Sequence, residues 1–205
     1  MQLKNNFWFF EEVFSEKFCD KIIKLGIKNN PSLGVINKYI NKKITTKRLK
    51  DLKKTRYSNT SFIDTPEIYK VINEFFVVAN KNAGWNFDFD FFEPTQFTVY
   101  RKGQHYDWHA DSNWDPYPNN AHPNYKGKIR KLSATIALND AKEYKGGDFQ
   151  IDLSTPNEKR VFKVPALKHK GSVVVFPSHL NHKVSAVTKG VRYSLVIWAL
   201  GLPWR

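Results

Sequence analysis

Cysteine occurs once in this 205-residue chain, at Cys19, and a single thiol cannot build an internal disulfide framework. Its apolar neighbours at helical spacing mark it as a buried structural thiol rather than a reactive one. No apolar run reaches membrane-spanning length, and the start, Met1 to Trp8, has no apolar stretch of the kind that directs secretion. The expectation is a cytoplasmic protein in a reducing compartment, with no membrane partner. Acidic residues are scarce beside basic ones, 19 against 33, giving a formal net charge of +14. Aromatics at 15% and hydrophobics at 41% exclude a disordered chain, and 205 residues can bury the core of one domain.

Much of the excess charge lies between Lys38 and Arg56, where Asp51 is the sole acid. Basic proteins often bind nucleic acid, because lysines and arginines replace condensed counterions on phosphate, and nucleic acid is a possible but not a favoured partner here. A solvated, mobile loop is the expectation here, and a lid or a contact for an acidic partner is the functional alternative.

Two stretches carry helical periodicity. Ser15 can cap a helix containing Phe18, Cys19, Ile22 and Ile23, with Phe14 as a staple and Gly26 as the stop. Thr65-Pro66 opens a second, with Ile68, Val71, Ile72, Phe75, Phe76 and Ala79 on one stripe, ending near Gly84. Both read as scaffold. From Thr95 the period falls to two, which predicts strands over 95–101, 105–109, 131–138, 147–151, 160–164, 172–176, 182–187 and 191–199. Strands without intervening helices argue for a barrel or sandwich flanked by the N-terminal helices. The polar faces, Gln96-Thr98-Tyr100 and Arg192-Ser194, are then turned towards a cavity, where a buried arginine calls for an anion.

Two segments carry chemistry. In Tyr100–Asp111, His109 and Asp111 are two residues apart, a spacing that places both on one face of a strand. With His182 they would form two histidines and one carboxylate, the set that holds non-haem Fe(II) with three positions open. Alone, the set does not decide: a His-x-Asp pair is commonly a surface hydrogen bond, and Asp111 could simply begin the polar loop after it. Ten residues past His182, Arg192 and Ser194 share a strand face. A guanidinium grips a carboxylate bidentately. Arg192, helped by Ser194 and by the phenol of Tyr100, could hold the far end of a dicarboxylic acid whose other end chelates the metal.

The run Tyr100-x-x-Gly103-x-x-Tyr106-x-x-His109-x-Asp111, followed by Leu132–Leu138, Gly146-Gly147-Asp148-Phe149, Phe176-Pro177-Ser178, His182-x-Val184 and Gly190-x-Arg192-x-Ser194, resembles the Fe(II)/2-oxoglutarate-dependent dioxygenases. Within them it is most similar to the prolyl 4-hydroxylase branch, including the PKHD-type hydroxylases. The resemblance covers about residues 95–199. It implies a mainly β fold, a double-stranded β-helix or jelly roll with flanking helices. It implies a single domain, 1–205, with 1–94 as helical support and basic loop and 95–199 as the jelly-roll core.

It further implies Fe(II), 2-oxoglutarate and O2, with ascorbate as an auxiliary. His109, Asp111 and His182 become metal ligands. Arg192 becomes the 2-oxoglutarate anchor, with Tyr100 and Ser194 as helpers, Trp198 as a pocket wall and Thr135 as a weaker candidate. Family spacing after Phe176-Pro177-Ser178 favours His182 over His179. The reaction implied is hydroxylation of a C–H bond with release of succinate and CO2. The expected substrate is peptidyl, prolyl first, or a free amino acid. A nucleic-acid base is a less favoured substrate, and a non-catalytic jelly-roll binding module is the alternative from another class. Residues 112–128 form a polar and aromatic insertion beside the metal pair. There Trp114, Tyr117 and Tyr125 read equally as substrate holders or solvent-facing aromatics, and His105, His122 and His169 read as ordinary loop histidines.

Overall fold

A computed structural model describes residues 5–35, 45–112 and 115–204. The larger sheet runs β1 (Trp8–Phe10), β12 (Val173–Pro177), β8 (Ile129–Ala137), β15 (Arg192–Gly201), β6 (Thr95–Tyr100), β4 (Asn59–Ile63) and β2 (Ser32–Leu33), and β5 (Phe91–Phe92) pairs with β15. The smaller sheet runs β11 (Val161–Lys163), β10 (Phe149–Asp152), β13 (His182–Val184), β7 (His105–His109) and β3 (Arg56–Tyr57). A third pair joins β9 (Tyr144–Gly146) to β14 (Val187–Gly190). All these pairings are antiparallel, the layout of a jelly roll with its strands switching between two sheets.

The period-two segments sort as their alternation demands. Phe97, Val99, Leu195 and Ile197 turn outward from the larger sheet and pack with Cys19, Ile22, Ile68, Ile72 and Phe76. Those residues belong to α1 (Glu16–Lys28) and α3 (Pro66–Asn82), which cover that face. Cys19 is fully buried, and burial pushes its thiol up to about 11, so it is inert. On the opposite face a second cluster, including Phe149, Ile151, Val174, Phe176 and Val184, fills one end of the roll. A cavity opens beside that cluster and shares Tyr100, Phe149 and Val184 with it. Among the described residues no helix is long and apolar enough to cross a membrane.

Local expectations fare unevenly. Ser15 caps α1 by accepting from Phe18 N at 3.2 Å, and Phe14 stacks on Phe18 with ring centroids 4.8 Å apart. Gly26 does not stop that helix, which continues to Lys28. Its small size is needed for packing, because a Cβ there would run into the Phe97 ring. Thr65 takes the N-cap position of α3 without a side-chain cap bond, so Pro66 alone marks the start. The segment predicted as one strand over 182–187 divides, β13 pairing with β7 and β10 and β14 leaving for β9. The N-terminal part is not only helical, since β1 to β5 all come from it.

The basic segment is the main correction. Where a solvated loop was expected, Thr46–Thr55 forms helix α2, capped by Thr45 Oγ1, which accepts from Arg48 N at 3.3 Å. Leu52 is fully buried beneath it, while Lys47, Lys50 and Lys54 are exposed. One apolar anchor is enough to dock a helix whose other faces carry charge. The helix hands directly to β3, where Arg56 is buried. The rest of that segment, 38–44, lies outside the described residues.

Candidate active site

His109 closes β7 directly opposite His182 on β13. Their ring centroids are 4.2 Å apart. Asp111 lies two residues beyond the end of the strand, so pleating alone does not aim it. The backbone does: Asp111 N and Ser112 N both donate to Ser178 O at 2.9 Å, and Ser178 Oγ is 2.8 Å from Ser133 Oγ on β8. Asp111 Oδ1 is then 3.8 Å from His109 Nε2, and Oδ2 is 3.6 Å from His182 Nε2. The three ligand atoms all lie within 4.8 Å of one another, a spacing that suits a single metal ion.

Both imidazoles have a fixed tautomer. His109 Nδ1 lies 2.7 Å from Asp107 O and His182 Nδ1 lies 3.0 Å from Leu180 O. A carbonyl accepts, so each Nδ1 carries the proton and each Nε2 presents a lone pair to the centre. Burial, aided by His182, holds the His109 imidazole well below its usual range, and hence neutral. Burial would raise the Asp111 carboxyl, but His182, His109 and Arg130 outweigh it and keep it ionised. Tyr106 stacks flat on His109, centroids 3.5 Å apart. Burial pushes its phenol up to about 12, so it is a neutral wall.

The trio opens into a cavity of about 510 Å³, lined also by Tyr100, Thr135, Arg192, Ser194 and Trp198. Arg192 is 2% exposed. Its Nη1 donates to Ser194 Oγ at 3.1 Å, and its Cζ lies 5.4 Å from the centroid of the Tyr100 ring. Its Nη2 is buried with no hydrogen-bond partner, as are Asp111 Oδ2 and Trp198 Nε1. Orphaned polar atoms of both signs around one cavity are the mark of a site shaped for a polar guest.

A sequence profile of the 2OG-Fe(II) oxygenase superfamily matches residues 95–200. The chain belongs to that superfamily. Its members are described by iron(II) and 2-oxoglutarate, and the donor set suits both: three N/O ligands for a divalent ion and a buried guanidinium with its Nη2 unpartnered for a carboxylate. The chain is 34% identical over 106 residues to a PKHD-type hydroxylase of Pseudoalteromonas atlantica, 51% of this chain and 42% of that protein. It is 36% identical over 111 residues to one of Thermosynechococcus vestitus, 53% of this chain and 43% of that protein. The matched segment therefore spans under half the length of these relatives. In fold the chain is similar to a viral collagen prolyl hydroxylase of Paramecium bursaria Chlorella virus-1 solved with 2OG, with TM-score 0.65, 17% identity and 97% of each chain covered. A Pseudomonas putida prolyl-4-hydroxylase gives TM-score 0.66 at 17% identity, covering 95% of this chain and 92% of that one.

All eight residues proposed from the sequence as ligands or cofactor contacts line this one cavity. Of the remaining histidines, His105 is tied to Gly103 O and Lys54 O, His122 packs on Tyr125, and His169 faces Glu12; none joins the metal cluster. His179 also stands apart from the cluster. In the insertion, Tyr117 donates to Glu93 Oε1 at 2.9 Å and packs on Tyr125, whose ring meets Phe91. Both are held to the body of the protein rather than free in solvent, and Trp114 lies outside the described residues.

Three charged residues escaped sequence reasoning. Buried Glu93 and half-buried Arg130 form an ion pair beside Asp111, and Arg56 lines the wall next to Tyr106. Glu93 and Arg130 are 37 residues apart with no motif linking them, and Arg56 is hidden at the end of a run of similar residues.

Proposed function

We propose that this chain is the catalytic unit of an Fe(II)- and 2-oxoglutarate-dependent hydroxylase acting on a peptidyl substrate, prolyl first, or on a free amino acid. The observation that carries it is the buried, unpartnered Nη2 of Arg192 in the same cavity as His109, Asp111 and His182. In this reading those three hold the metal, and Arg192, with Ser194 beside it, takes the side-chain carboxylate of 2-oxoglutarate. Tyr100 and Thr135 line that pocket, and Trp198 closes it. The bound pair supplies oxygen activation coupled to release of succinate and CO2. The chain supplies geometry. Carbonyls of Asp107 and Leu180 hold the imidazoles in the ligating tautomer, Ser178 aims Asp111, and Phe149, Phe176 and Trp198 exclude water from the ligands. The prolyl preference rests on the likeness to PKHD-type hydroxylases and to prolyl hydroxylase folds, one of them solved with a peptide fragment of hypoxia inducible factor.

Anaerobic titration of the protein with Fe(II) and then 2-oxoglutarate tests it. A metal-to-ligand absorption band of one-to-one stoichiometry is expected, followed on aeration by succinate release that rises with a proline-containing peptide or amino acid. Absence of the band at millimolar 2-oxoglutarate would remove the catalytic reading and leave a binding module.

A further inference from the structure

The cavity wall carries five charged side chains besides the imidazoles: Arg56, Arg130 and Arg192 against Glu93 and Asp111. The reading above accounts for four. Arg130 is neutralised by Glu93. Asp111 and one carboxylate of 2-oxoglutarate balance a divalent ion, and the other carboxylate balances Arg192. Arg56 is left over.

Arg56 is 6% exposed, and its partners are all neutral. Nε donates to Ser58 Oγ at 3.2 Å, Nη1 to Val35 O at 3.2 Å and Nη2 to Gln96 Oε1 at 3.0 Å. A guanidinium carries five N–H groups, so two have no partner in this set. Among the described residues no carboxylate pairs with it, and the stretch 36–44 contains no aspartate or glutamate. Dipoles alone compensate a buried cation less completely than an anion does.

Its position is also specific. The guanidinium lies 4.7 Å from the centre of the Tyr106 ring, and that ring stacks on His109. Arg56 is thus one aromatic ring away from a metal ligand. Phe62 and Val35, both exposed, share this part of the wall. A cation flanked by apolar groups makes a recess for a molecule with an acid group on a hydrocarbon frame.

Building on the catalytic reading, we propose that Arg56 reads a carboxylate on the primary substrate, so that the molecule oxidised here is an acid. That carboxylate is the α-carboxylate of a free amino acid or C-terminal residue, or an acidic side chain near the reacting C–H. A guanidinium that only ties β3 to β6 would give no preference between an acid and its amide.

The probes are free amino acids and N-acetyl dipeptides, each as free acid and as primary amide, with Asp/Asn and Glu/Gln pairs to separate side-chain from α-carboxylates. Each is added to the anaerobic complex of the full chain with Fe(II) and 2-oxoglutarate, in which Arg192 is already engaged. Dissociation constants come from the perturbation of the absorption band. The strongest binder is expected to be an acid, held at least about tenfold more tightly than its amide, the weight of one charge-assisted hydrogen bond. Arg56→Gln should bring the two within about twofold. Because the comparison of acid with amide is made first in the unaltered protein, it stands even where the variant folds poorly. If the band never forms, the catalytic reading fails and this proposal with it. A band that responds equally to acid and amide, a library without a binder, or a preference that survives Arg56→Gln overturns the carboxylate assignment alone.

Discussion

Arg130 meets Glu93 through two parallel hydrogen bonds, Nε to Oε1 at 2.7 Å and Nη2 to Oε2 at 2.6 Å. Its other face lies 3.8 Å from the centre of the Trp198 ring, and Nη1 reaches Asp111 O at 3.4 Å. The pair thus braces a wall of the cavity and the backbone of a candidate ligand at once. Glu93→Ala leaves a half-buried guanidinium against Trp198 without its acid. The expected cost is about 3 kcal/mol of folding stability, at the low end for a broken buried pair because Arg130 is partly solvated. Glu93→Gln combined with Arg130→Met should recover most of it in urea denaturation. A double variant as unstable as the single one would show that the pair does not act as a unit.

Arg192 sets stability against binding. Its buried Nη2 has no partner, so Arg192→Met, of similar length and uncharged, should leave the cofactor-free protein at least as stable as the parent. The same change should weaken 2-oxoglutarate by roughly 2–5 kcal/mol. Melting temperature with and without Fe(II) and 2-oxoglutarate separates the two effects. A lower melting temperature for the unliganded variant would mean that Ser194 and Tyr100 already satisfy the charge.

Asp148, in the turn before β10, gives a pH-dependent contribution. Its Oδ1 accepts from Lys168 Nζ at 2.6 Å and its Oδ2 lies 3.2 Å from Lys163 Nζ. The hydrogen bond from Lys168, against opposing burial and with help from Lys163, holds the carboxyl below its usual range. The unfolded chain then takes up the proton first on acidification. Stability from this group is complete above the ordinary carboxylate pKa of about 4 and is lost as pH falls below it. Asp148→Asn should lose less stability than the parent between pH 6 and pH 3.5 in chemical denaturation, by less than about 1 kcal/mol for a partly exposed pair. Parallel losses in the two proteins would remove the assignment.

Gly26 separates helix propensity from packing. In an exposed helix Gly→Ala gains about 1 kcal/mol. Here the added carbon meets the ring of Phe97, itself fully buried, and overpacking of that kind costs about 1–3 kcal/mol. Gly26→Ala should therefore destabilise. Pairing it with Phe97→Leu should restore part of the loss; a stabilised single variant would show that Phe97 moves aside freely.

Where a periodic apolar pattern extends over several turns, the elements follow from residue order. Ile68, Ile72, Phe76 and Ala79 are all buried as their spacing requires, although Val71, on the edge of the same stripe, is 42% exposed. α2 escaped because a single buried leucine is too little pattern to show through so many lysines. The short strands of the N-terminal region escaped for a related reason. Two- and three-residue segments such as β2, β3 and β5 have no period of their own, and the sheet edges they join supply the hydrogen bonds that form them.

The order of residues by itself picked out the candidate groups: two histidines, an aspartate and an arginine at spacings that resemble one superfamily, whose profile matches residues 95–200. It also determined that Arg192 and Ser194 share a strand face, because the period of a strand is a local property of the backbone. Closure of the roll decided the rest. Asp111 is aimed by Ser178, Glu93 neutralises Arg130 from 37 residues away, and Arg56 settles against Gln96, 40 residues on, without an acid. Which cation meets an acid and which meets only neutral groups depends on distances across the fold, and those exist only once the sheets have met.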